Sequence, residues 1–447
     1  MIENHYPRIL IIGPPFNYLT GGGVTLSNLF KGWPIEKISV ASPGHAYYAV
    51  NNDICNTYYQ LGKEEHKWKF PFSLIQRPFP SGLKTFEVKL ETKSRIEKKG
   101  ARYLIINHFF YPFLQYIGLF YCLSKFRLSQ RLQNWLACFQ PEILYIIVET
   151  RETLLFASEL IDYLKIPTAI HMMDDWPSII ITKGLLGKYW RKRIDKDLKQ
   201  LLDKVDLHLS ISNAMTYEYK RRYKKEFKAF HNPIDIEVWQ PYHKTNFQIN
   251  QGQTKILYSG RIGPGITESL IEVSHALDLI NINGITVKLY IQSHSSDYNI
   301  IKRLEKYKCV VINPLVDYSK LPFVLSQADI LLIPNDFNKK GINLLKYSMP
   351  TKASEYMISG TPVLVYAPFE TAVSRFFADN ECGCCVTEHI PDKLINAIKL
   401  LASDEEYRKK ISHNAIRLAT ELFDAKKVRN EFQQLLIKMG NSANLRT

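Results

Sequence analysis

The sequence predicts an α/β protein with two doubly wound parallel sheets, one in each half of the chain. Short apolar runs alternate with segments of helical length, which is the pattern of a parallel sheet covered by helices. The alternation restarts after His231-Asn232-Pro233-Ile234-Asp235, which marks a domain boundary. A chain of 447 residues can form two domains that each bury a core, and 46% hydrophobic residues exclude a disordered protein.

A buried strand followed by a glycine-rich turn opens the first half. Residues 8–12 form an apolar run, Gly13-Pro14-Pro15 breaks it, and Gly21-Gly22-Gly23 leads into a helix at residues 24–30. The mixed sequence of residues 51–100 predicts no element. The other elements predicted in this half are strands at 38–40, 143–148, 168–171, 207–210 and 227–230, and helices near 128–138, 152–164, 183–203 and 213–225.

The second half repeats this plan and contains the most informative stretch of the chain, residues 348–366. Pro350 and Thr351 are suited to begin and cap a short helix, Gly360 is suited to end it, and Pro362 precedes the apolar run of a buried strand. The other elements predicted in this half are strands at 255–261, 287–291 and 328–334, and helices near 267–281, 391–402, 404–422 and 425–438.

Two charged residues lie near the N-terminus of that short helix. Lys352 and Glu355 are three residues apart, so they share one face of it. A cation, a carboxylate and a helix N-terminus together suit a ligand that bears both phosphate groups and hydroxyls. The stretch therefore indicates a nucleotide-activated substrate. A helix-capping loop in an unrelated α/β protein is the alternative.

The same stretch resembles the donor site of the GT-B glycosyltransferases, specifically the large retaining family 4 type (group 1 glycosyltransferases), which is related to sucrose and lipopolysaccharide glucosyltransferases. The segments Ser-Asn-Ala-Met, His-Asn-Pro-Ile-Asp, Tyr-Ser-Gly-Arg and Ala-Asp-Ile-Leu-Leu-Ile-Pro follow the order found in that family. The resemblance implies two Rossmann-like domains that face each other across a cleft. They would be an N-terminal acceptor-side domain at 1–233 and a C-terminal nucleotide-sugar donor domain at 234–422, with a C-terminal helix at 423–447 that packs back on the first domain.

The resemblance also implies roles for individual residues. Glu355 would hold the ribose hydroxyls of the donor, while Arg261 and Lys352 would stabilise the departing diphosphate. Arg261 could instead pair with an acidic neighbour. The glycine turn matches the family loop that reaches the donor, and a flexible turn is its alternative. The expected donor-binding residues are Gly22, Gly23, Gly260, Arg261, Lys352 and Glu355.

A second candidate segment follows the predicted strand at 168–171. The resemblance puts His171 near the reacting sugar, and Asp174 or Asp175 would serve as general base if the enzyme inverted configuration. Capping of a following helix is the alternative for the two aspartates. Two adjacent aspartates do not form the D-x-D metal motif of the other glycosyltransferase fold, so no metal is expected. The expected catalytic residues are Arg261, Lys352, His171, Asp174 and Asp175.

Two departures from the family pattern stand out. Tyr347 occupies the position of a glutamate that contacts the donor sugar in many members, so the identity of the sugar cannot be carried over. The lysine that usually follows Arg261 by about five residues is absent as well. These departures leave room for a protein that binds a sugar nucleotide without transferring it.

Charge is concentrated in one part of the first half. Residues 183–228 carry +8 of the net charge of +15, and Lys188, Arg191 or Lys192, Lys196 and Lys199 recur there at helical spacing. An anionic membrane surface, nucleic acid or a solvated helix face would each explain this stripe. Nucleic acid is disfavoured, because no stacking motif accompanies the basic residues.

An uncharged aromatic segment, residues 103–124, lies in the same half. Its Pro, Gly, His and Asn residues disfavour a membrane-spanning helix, and basic residues on both sides favour a segment at the membrane interface. A helix packed inside the N-terminal domain is the alternative. We expect a cytoplasmic protein that contacts the inner face of the membrane peripherally.

The seven cysteines are odd in number and irregular in spacing, which is typical of a reducing compartment. The cluster Cys382-Gly383-Cys384-Cys385 has no second cluster to complete a metal site, so a buried turn and strand are expected there. The residues before the first apolar run do not form a secretory signal. No cofactor is expected beyond the nucleoside diphosphate sugar that acts as co-substrate.

The function that the resemblance implies is metal-independent glycosyl transfer of the hexosyltransferase type. A sugar would pass from a nucleoside diphosphate donor to a carbohydrate or lipid-linked acceptor, with retention of configuration, in surface polysaccharide or glycoconjugate synthesis. A nucleotide-sugar epimerase or hydrolase of the same fold is one alternative, and a non-catalytic scaffold that binds sugar nucleotides is another.

Overall fold

The computed structural model describes residues 6–44, 50–74, 76, 79–84, 105–180, 184–249, 253–282, 286–294 and 298–444. These residues form two compact units. Unit 1 contains the described residues up to Phe230 together with those from Arg429 onwards, and unit 2 contains His231–Val428. Each unit is built around its own sheet.

The sheet of unit 1 has eight strands in the order β10-β9-β8-β7-β1-β2-β3-β5, and only β5 runs antiparallel to its neighbour. Strands β4 and β6 pair separately as an antiparallel ribbon. The strands are β1 (Ile9–Ile12), β2 (Ile38–Pro43), β3 (Tyr58–Leu61), β4 (His66–Trp68), β5 (Gly82–Lys84), β6 (Ser124–Phe126), β7 (Ile143–Ile146), β8 (Thr168–Met172), β9 (Leu207–Ser210) and β10 (Lys228–Ala229).

Helices connect these strands, and most begin where the sequence offers a capping side chain. Ser129 and Thr150 accept a hydrogen bond from the backbone of the first turn that follows them. The helices are α1 (Gly21–Phe30), α2 (Tyr111–Ile117), α3 (Gln130–Phe139), α4 (Arg151–Leu164), α5 (Gly187–Lys204) and α6 (Asn213–Tyr223). A π-helical turn, Ile106–Phe110, runs directly into α2.

Unit 2 has six strands, all parallel, in the order β13-β12-β11-β14-β15-β16. This is the doubly wound order with its switch point between β11 and β14. The strands are β11 (Thr254–Ser259), β12 (Val287–Gln292), β13 (Val310–Asn313), β14 (Ile330–Pro334), β15 (Val363–Tyr366) and β16 (Cys384–Val386). The helices are α7 (Ile236–Trp239), α8 (Thr267–Ile282), α9 (Tyr298–Leu304), α10 (Leu321–Ser326), α11 (Lys339–Leu345), α12 (Lys352–Ser359), α13 (Ala372–Asp379), α14 (Pro391–Ser403) and α15 (Glu405–Leu422).

Side chains alternate across this second sheet. Ile330 and Leu332 of β14 point into one buried cluster together with α8 and α14, whereas Leu331 and Ile333 point into another together with α12 and α15. A strand buried on both faces needs apolar residues at every position, which explains the unbroken run in the sequence. The predicted doubly wound sheets are therefore confirmed in both halves.

The last helix, α16 (Ala425–Asn444), starts in unit 2 and ends in unit 1. Within unit 1 its Phe432 is fully buried and lies edge-on to the rings of Phe30, Tyr145 and Phe230. Gln433 donates hydrogen bonds to the main-chain carbonyls of Leu29 and Lys31 at 3.2 and 3.1 Å. The end of the chain therefore completes the core of the unit in which the chain begins.

Some elements differ from the expectations. Strands β3, β4, β5, β6 and β13 were not predicted, and helix α5 begins at Gly187 rather than near residue 183, which itself lies outside the described residues. In the part of the chain that the structure describes, none of the helices has both the length and the apolar composition required to cross a bilayer.

Candidate functional site

The predicted donor residues of unit 2 meet at the carboxyl ends of the sheet strands. Gly260 and Arg261 directly follow β11, and Lys352 and Glu355 lie on the first turn of α12. Strand β11 borders the switch point of this sheet, where open α/β sheets bind ligands. The fold therefore brings together residues that are about ninety positions apart in the sequence.

A close contact joins the two segments. The Nζ atom of Lys352 lies 3.9 Å from the ring centroid of Tyr258, over its face. A Cβ atom added to Gly260 would lie 2.2 Å from the same Nζ, and Gly260 has φ +154°, which disfavours other residues. The backbone angle favours glycine at this position, and any larger side chain would also have to displace the end of the lysine.

The charges around Lys352 leave this site short of negative charge. Burial and the positive charge of Arg261 together lower the pKa of Lys352 to about 7, and the charge of Glu355 partly opposes them. Arg261 is exposed, and its Nη1 donates a hydrogen bond to the carbonyl of Pro264 at 3.2 Å. An anion placed between these cations would be stabilised by both of them.

Glu355 lies three residues further along the same helix and is 95% buried. Its Oε1 accepts a hydrogen bond of 2.9 Å from the Oη of Tyr318, which belongs to the turn after β13. Burial raises the pKa of Glu355 to about 7 even though the hydrogen bond from Tyr318 and the charge of Lys352 act in the opposite direction. Tyr318 was not among the predicted site residues, and no sequence motif marks it.

Helix α12 is fixed to the end of β11 by Tyr356. The Oη of this residue accepts a hydrogen bond of 2.9 Å from the main-chain N–H of Ser259. The predicted capping role of Thr351 is wrong, because this residue has helical backbone angles and its side chain makes no capping bond. The buried tyrosine, rather than the cap, sets the position of Lys352 relative to Gly260.

The glycine turn in unit 1 forms the first turn of α1, which begins at Gly21. Thr20 caps the helix by accepting a hydrogen bond of 3.1 Å from the N–H of Gly23. A Cβ atom on Gly23 would lie 2.3 Å from the side chain of Asn17, whereas Gly22 has open space around it. The N–H of Gly23 is therefore already paired, and Gly22 is the more accessible of the two predicted glycines.

His171 is fully buried on β8. Its Nδ1 lies 2.6 Å from the Oη of Tyr145, and its Nε2 has no hydrogen-bond partner among the described residues. Burial lowers the pKa of His171 to about 4, so the ring is neutral at physiological pH. In this state it can donate or accept one hydrogen bond but cannot act as a cation.

The two aspartates after β8 have different surroundings. Asp175 is buried and accepts hydrogen bonds from the Oη of Tyr219 at 2.8 Å and from two nitrogens of Arg222 at 3.0 and 2.9 Å. It makes no capping bond to the short helical turn that follows. Asp174 is exposed. Since the carboxylate of Asp175 is committed to an ion pair, Asp174 is the better placed of the two to meet a ligand.

In the described part of the chain, neither the residues around Lys352 nor those around His171 form a cluster of metal-ligating side chains. Within the described ranges, three or more His, Cys, Asp or Glu residues nowhere come close enough together to hold a metal ion. Cys382 lies just before β16, and Cys384 is its first residue. Both side chains are buried, and burial raises the pKa of both thiols.

Comparisons with known proteins fit this arrangement. Residues 241–418 match the sequence model of the family described as glycosyl transferases group 1. No curated protein matches the chain significantly in sequence. Similar solved structures include sucrose-phosphate synthase from Thermosynechococcus elongatus, with a TM-score of 0.63, 13% identity and coverage of 97% of this chain and 99% of that one.

Two further structures are similar over the same length. HepE from Anabaena, in complex with UDP and glucose, has a TM-score of 0.58, 13% identity and coverage of 96% of this chain and 99% of its own. A glycosyltransferase from Rickettsia africae has a TM-score of 0.58, 12% identity and coverage of 97% and 99%. The chain therefore has the GT-B fold, and its residues 241–418 match the sequence model of the group 1 glycosyl transferases.

Proposed function

We propose that this protein transfers a sugar from a nucleoside diphosphate sugar to a carbohydrate or lipid-linked acceptor. The observation that carries the proposal is the placement of Lys352, Arg261 and Glu355 at the carboxyl edge of the unit 2 sheet. Two neighbouring cations suit a diphosphate, and a buried carboxylate three residues further along the helix suits a pair of ribose hydroxyls. The group 1 family match over residues 241–418 supports the same assignment.

The chemistry that these residues would supply is stabilisation of the leaving group. In sugar transfer the bond between the anomeric carbon and the diphosphate oxygen breaks, and the acceptor oxygen bonds to that carbon as its proton is lost. Negative charge grows on the diphosphate as it leaves. Lys352 and Arg261 are held in position before the reaction, so they can stabilise this charge with little reorganisation.

We further propose that the reaction retains configuration, needs no metal and serves surface polysaccharide or glycoconjugate synthesis. Retention and the biological setting rest on the resemblance to the retaining GT-B enzymes. Metal independence rests on the charges of Lys352 and Arg261, which would stabilise the leaving diphosphate in place of a divalent metal ion. If the enzyme inverts instead, Asp174 is the candidate base, because Asp175 is paired with Arg222.

Calorimetric titration with UDP, GDP, ADP and CMP tests the donor site. HepE was solved with UDP and glucose, so UDP is the first ligand to try. Loss of the Lys352 ammonium in Lys352→Ala should weaken binding of the correct nucleotide about 10- to 100-fold, as removal of a charge-assisted hydrogen bond does. Lys306→Ala, an exposed lysine of the same unit, is the matched control and should bind normally.

Two outcomes would contradict the proposal in different ways. Equal binding by wild-type protein and Lys352→Ala would remove the donor-site assignment. Tight nucleotide binding without sugar transfer to any acceptor would instead favour the scaffold alternative, for which Tyr347 at the usual glutamate position is the motivating observation. Turnover of the sugar nucleotide without an acceptor would favour an epimerase or hydrolase.

A further inference from the structure

Unit 1 exposes an apolar stripe along one helix. Ile105, Phe109, Phe113 and Tyr116 are 59, 72, 60 and 56% exposed. They are spaced by four, four and three residues in a continuous helical run, so they lie on one side of it. On the other side Leu114 is buried. Large exposed apolar side chains in such an order are rare on a surface that meets only water.

A second exposed apolar segment lies directly against this helix. Leu185, Leu186 and Tyr189 are 75, 43 and 55% exposed. The main-chain N–H of Leu185 donates a 2.9 Å hydrogen bond to the carbonyl of Tyr116. A Cβ atom on Gly118 would lie 2.6 Å from the side chain of Leu186. The two segments therefore form one continuous surface.

A third exposed apolar segment also contacts this helix. Phe70 and Leu74 are 80 and 77% exposed. Between them, the ring of Phe72 lies 5.6 Å from the ring of Phe110, and Trp68 stacks on the same ring at 6.4 Å. We call the exposed apolar residues of segments 70–74, 105–116 and 185–189 the apolar face.

The segments that carry the apolar face contain basic residues and no acidic ones. Residues 66–74, 105–124 and 184–194 together contain six Lys or Arg and no Asp or Glu. Lys188, Arg191 and Lys192 are exposed on the first two turns of α5, beside Leu185 and Tyr189. Exposed basic side chains beside exposed apolar ones suit an anionic bilayer, which attracts the former and accommodates the latter.

We propose that the apolar face inserts into the interface of an anionic membrane, with Lys188, Arg191 and Lys192 against the lipid phosphates. Phe and Leu side chains would enter the boundary between headgroups and acyl chains, and Tyr116 and Tyr189 would keep their hydroxyls at headgroup level. This inference is independent of the proposed sugar transfer, because none of its residues belongs to the donor site.

Vesicle sedimentation of the full-length protein tests the proposal. We expect binding to phosphatidylcholine vesicles that contain phosphatidylglycerol, and much weaker binding to phosphatidylcholine alone. The double variant Lys188→Gln/Lys192→Gln should lose roughly 30-fold in partitioning, since each lysine near such a surface contributes about fivefold. Lys306→Gln/Lys308→Gln, which changes two exposed lysines of unit 2, should bind as wild type does.

A second test variant and its control measure how much the apolar side chains contribute to membrane binding. Phe109→Ser/Phe113→Ser should lose about tenfold or more in partitioning to anionic vesicles. Phe323→Ser/Phe369→Ser, at two exposed phenylalanines of unit 2, should leave it unchanged. Thermal unfolding of each variant confirms that it is folded.

Three results would overturn the proposal. The first is absence of wild-type binding to anionic vesicles, and the second is equal loss of binding in a test variant and its control. The third comes from sedimentation velocity without lipid: a wild-type dimer that becomes a monomer in Phe109→Ser/Phe113→Ser would make the apolar face an interface between copies of this chain.

Discussion

At the scale of single residues, the contact between Gly260 and Lys352 gives the sharpest test of the donor site. Gly260→Ala would place a methyl group 2.2 Å from Nζ and drive the ammonium away. We expect UDP or the correct nucleotide to bind about 10- to 100-fold more weakly, because a charge-assisted bond to the diphosphate would be lost. Calorimetric titration measures the change.

Gly263→Ala provides the matched control for that substitution. Gly263 has φ +159°, close to the +154° of Gly260, but the nearest atom to an added Cβ is Nη1 of Arg261 at 3.5 Å. Both variants carry a similar backbone cost, and only one displaces the lysine. If Gly263→Ala weakens binding as much as Gly260→Ala does, backbone strain rather than the lysine explains the loss.

Donor affinity should depend on pH in a bell-shaped manner with its maximum near pH 7. Lys352 has a lowered pKa of about 7 and a diphosphate favours its protonated form, so affinity falls as pH rises above 7. Glu355 has a raised pKa of about 7 and ribose hydroxyls favour its carboxylate, so affinity also falls as pH drops below 7. Titrations with a nucleotide sugar, whose diphosphate does not ionise in this range, measure both limbs.

Single variants should separate the two limbs of this profile. Lys352→Ala should bind weakly but lose the decline on the alkaline side, because the titrating ammonium is gone. Glu355→Gln should lose the decline on the acidic side. A profile that keeps both limbs in both variants would show that other groups titrate.

The candidate site residues that could be predicted are marked by their spacing within one short segment. The residue that was missed contacts the site from a distant part of the sequence. Lys352 and Glu355 are recognisable because three-residue spacing on a helix is read directly from the chain. Tyr318 contacts Glu355 from 37 positions away, through an approach that only the completed sheet creates. Asp175 was expected near the reaction, but its pairing with Arg222 spans 47 positions and is equally invisible in the sequence.

At the scale of elements, the bond between Tyr356 and Ser259 fixes α12 against β11. Tyr356→Phe would leave the buried N–H of Ser259 without this acceptor, which should lower the free energy of unfolding of unit 2 by about 1–3 kcal/mol. Nucleotide affinity should fall as well, because Lys352 is carried on the same helix. Chemical denaturation and calorimetric titration measure the two effects.

Tyr307→Phe is the control for this element. Tyr307 packs against the core of the same unit, and its hydroxyl makes no side-chain hydrogen bond within the described residues. We expect its unfolding free energy and nucleotide affinity to stay near those of the wild type. Unchanged affinity in Tyr356→Phe would mean that the packing of α12 alone positions the lysine.

A strand or helix could be predicted from the sequence where its own residues show a clear hydrophobic or capping pattern. Strands β1, β7 and β14 are continuous apolar runs, because both faces of a parallel sheet are buried. Strands β4 and β6 pair only with each other, and Lys67 lies opposite Lys125 there, so neither has an apolar signature. Helix α1 begins at Gly21 because the Thr20 cap outweighs the low helix propensity of three glycines.

At the scale of the whole molecule, the chain returns to its first unit through α16. This end of the fold could be predicted only by resemblance, since an amphipathic helix does not reveal which core it covers. The observed placement of Phe432 among Phe30, Tyr145 and Phe230 shows that residues four hundred positions apart share one core. Stability of unit 1 should therefore depend on the far end of the chain.

Phe432→Ala and Phe423→Ala are nine residues apart and should destabilise different units. Phe432 is fully buried in unit 1, so its truncation should cost about 3–5 kcal/mol there. Phe423 packs against His231 and Phe376 in unit 2. Five of the six tryptophans lie in unit 1, so tryptophan fluorescence during urea unfolding reports mainly on that unit.

The fluorescence midpoint should fall strongly in Phe432→Ala and much less in Phe423→Ala. Hydrogen exchange should show the complementary pattern, with faster exchange in β1 and β7 for the first variant and in β14 and β15 for the second. Equal changes in both units for both variants would mean that the two cores unfold as one cooperative body. In that case α16 would couple their stabilities rather than serve unit 1 alone.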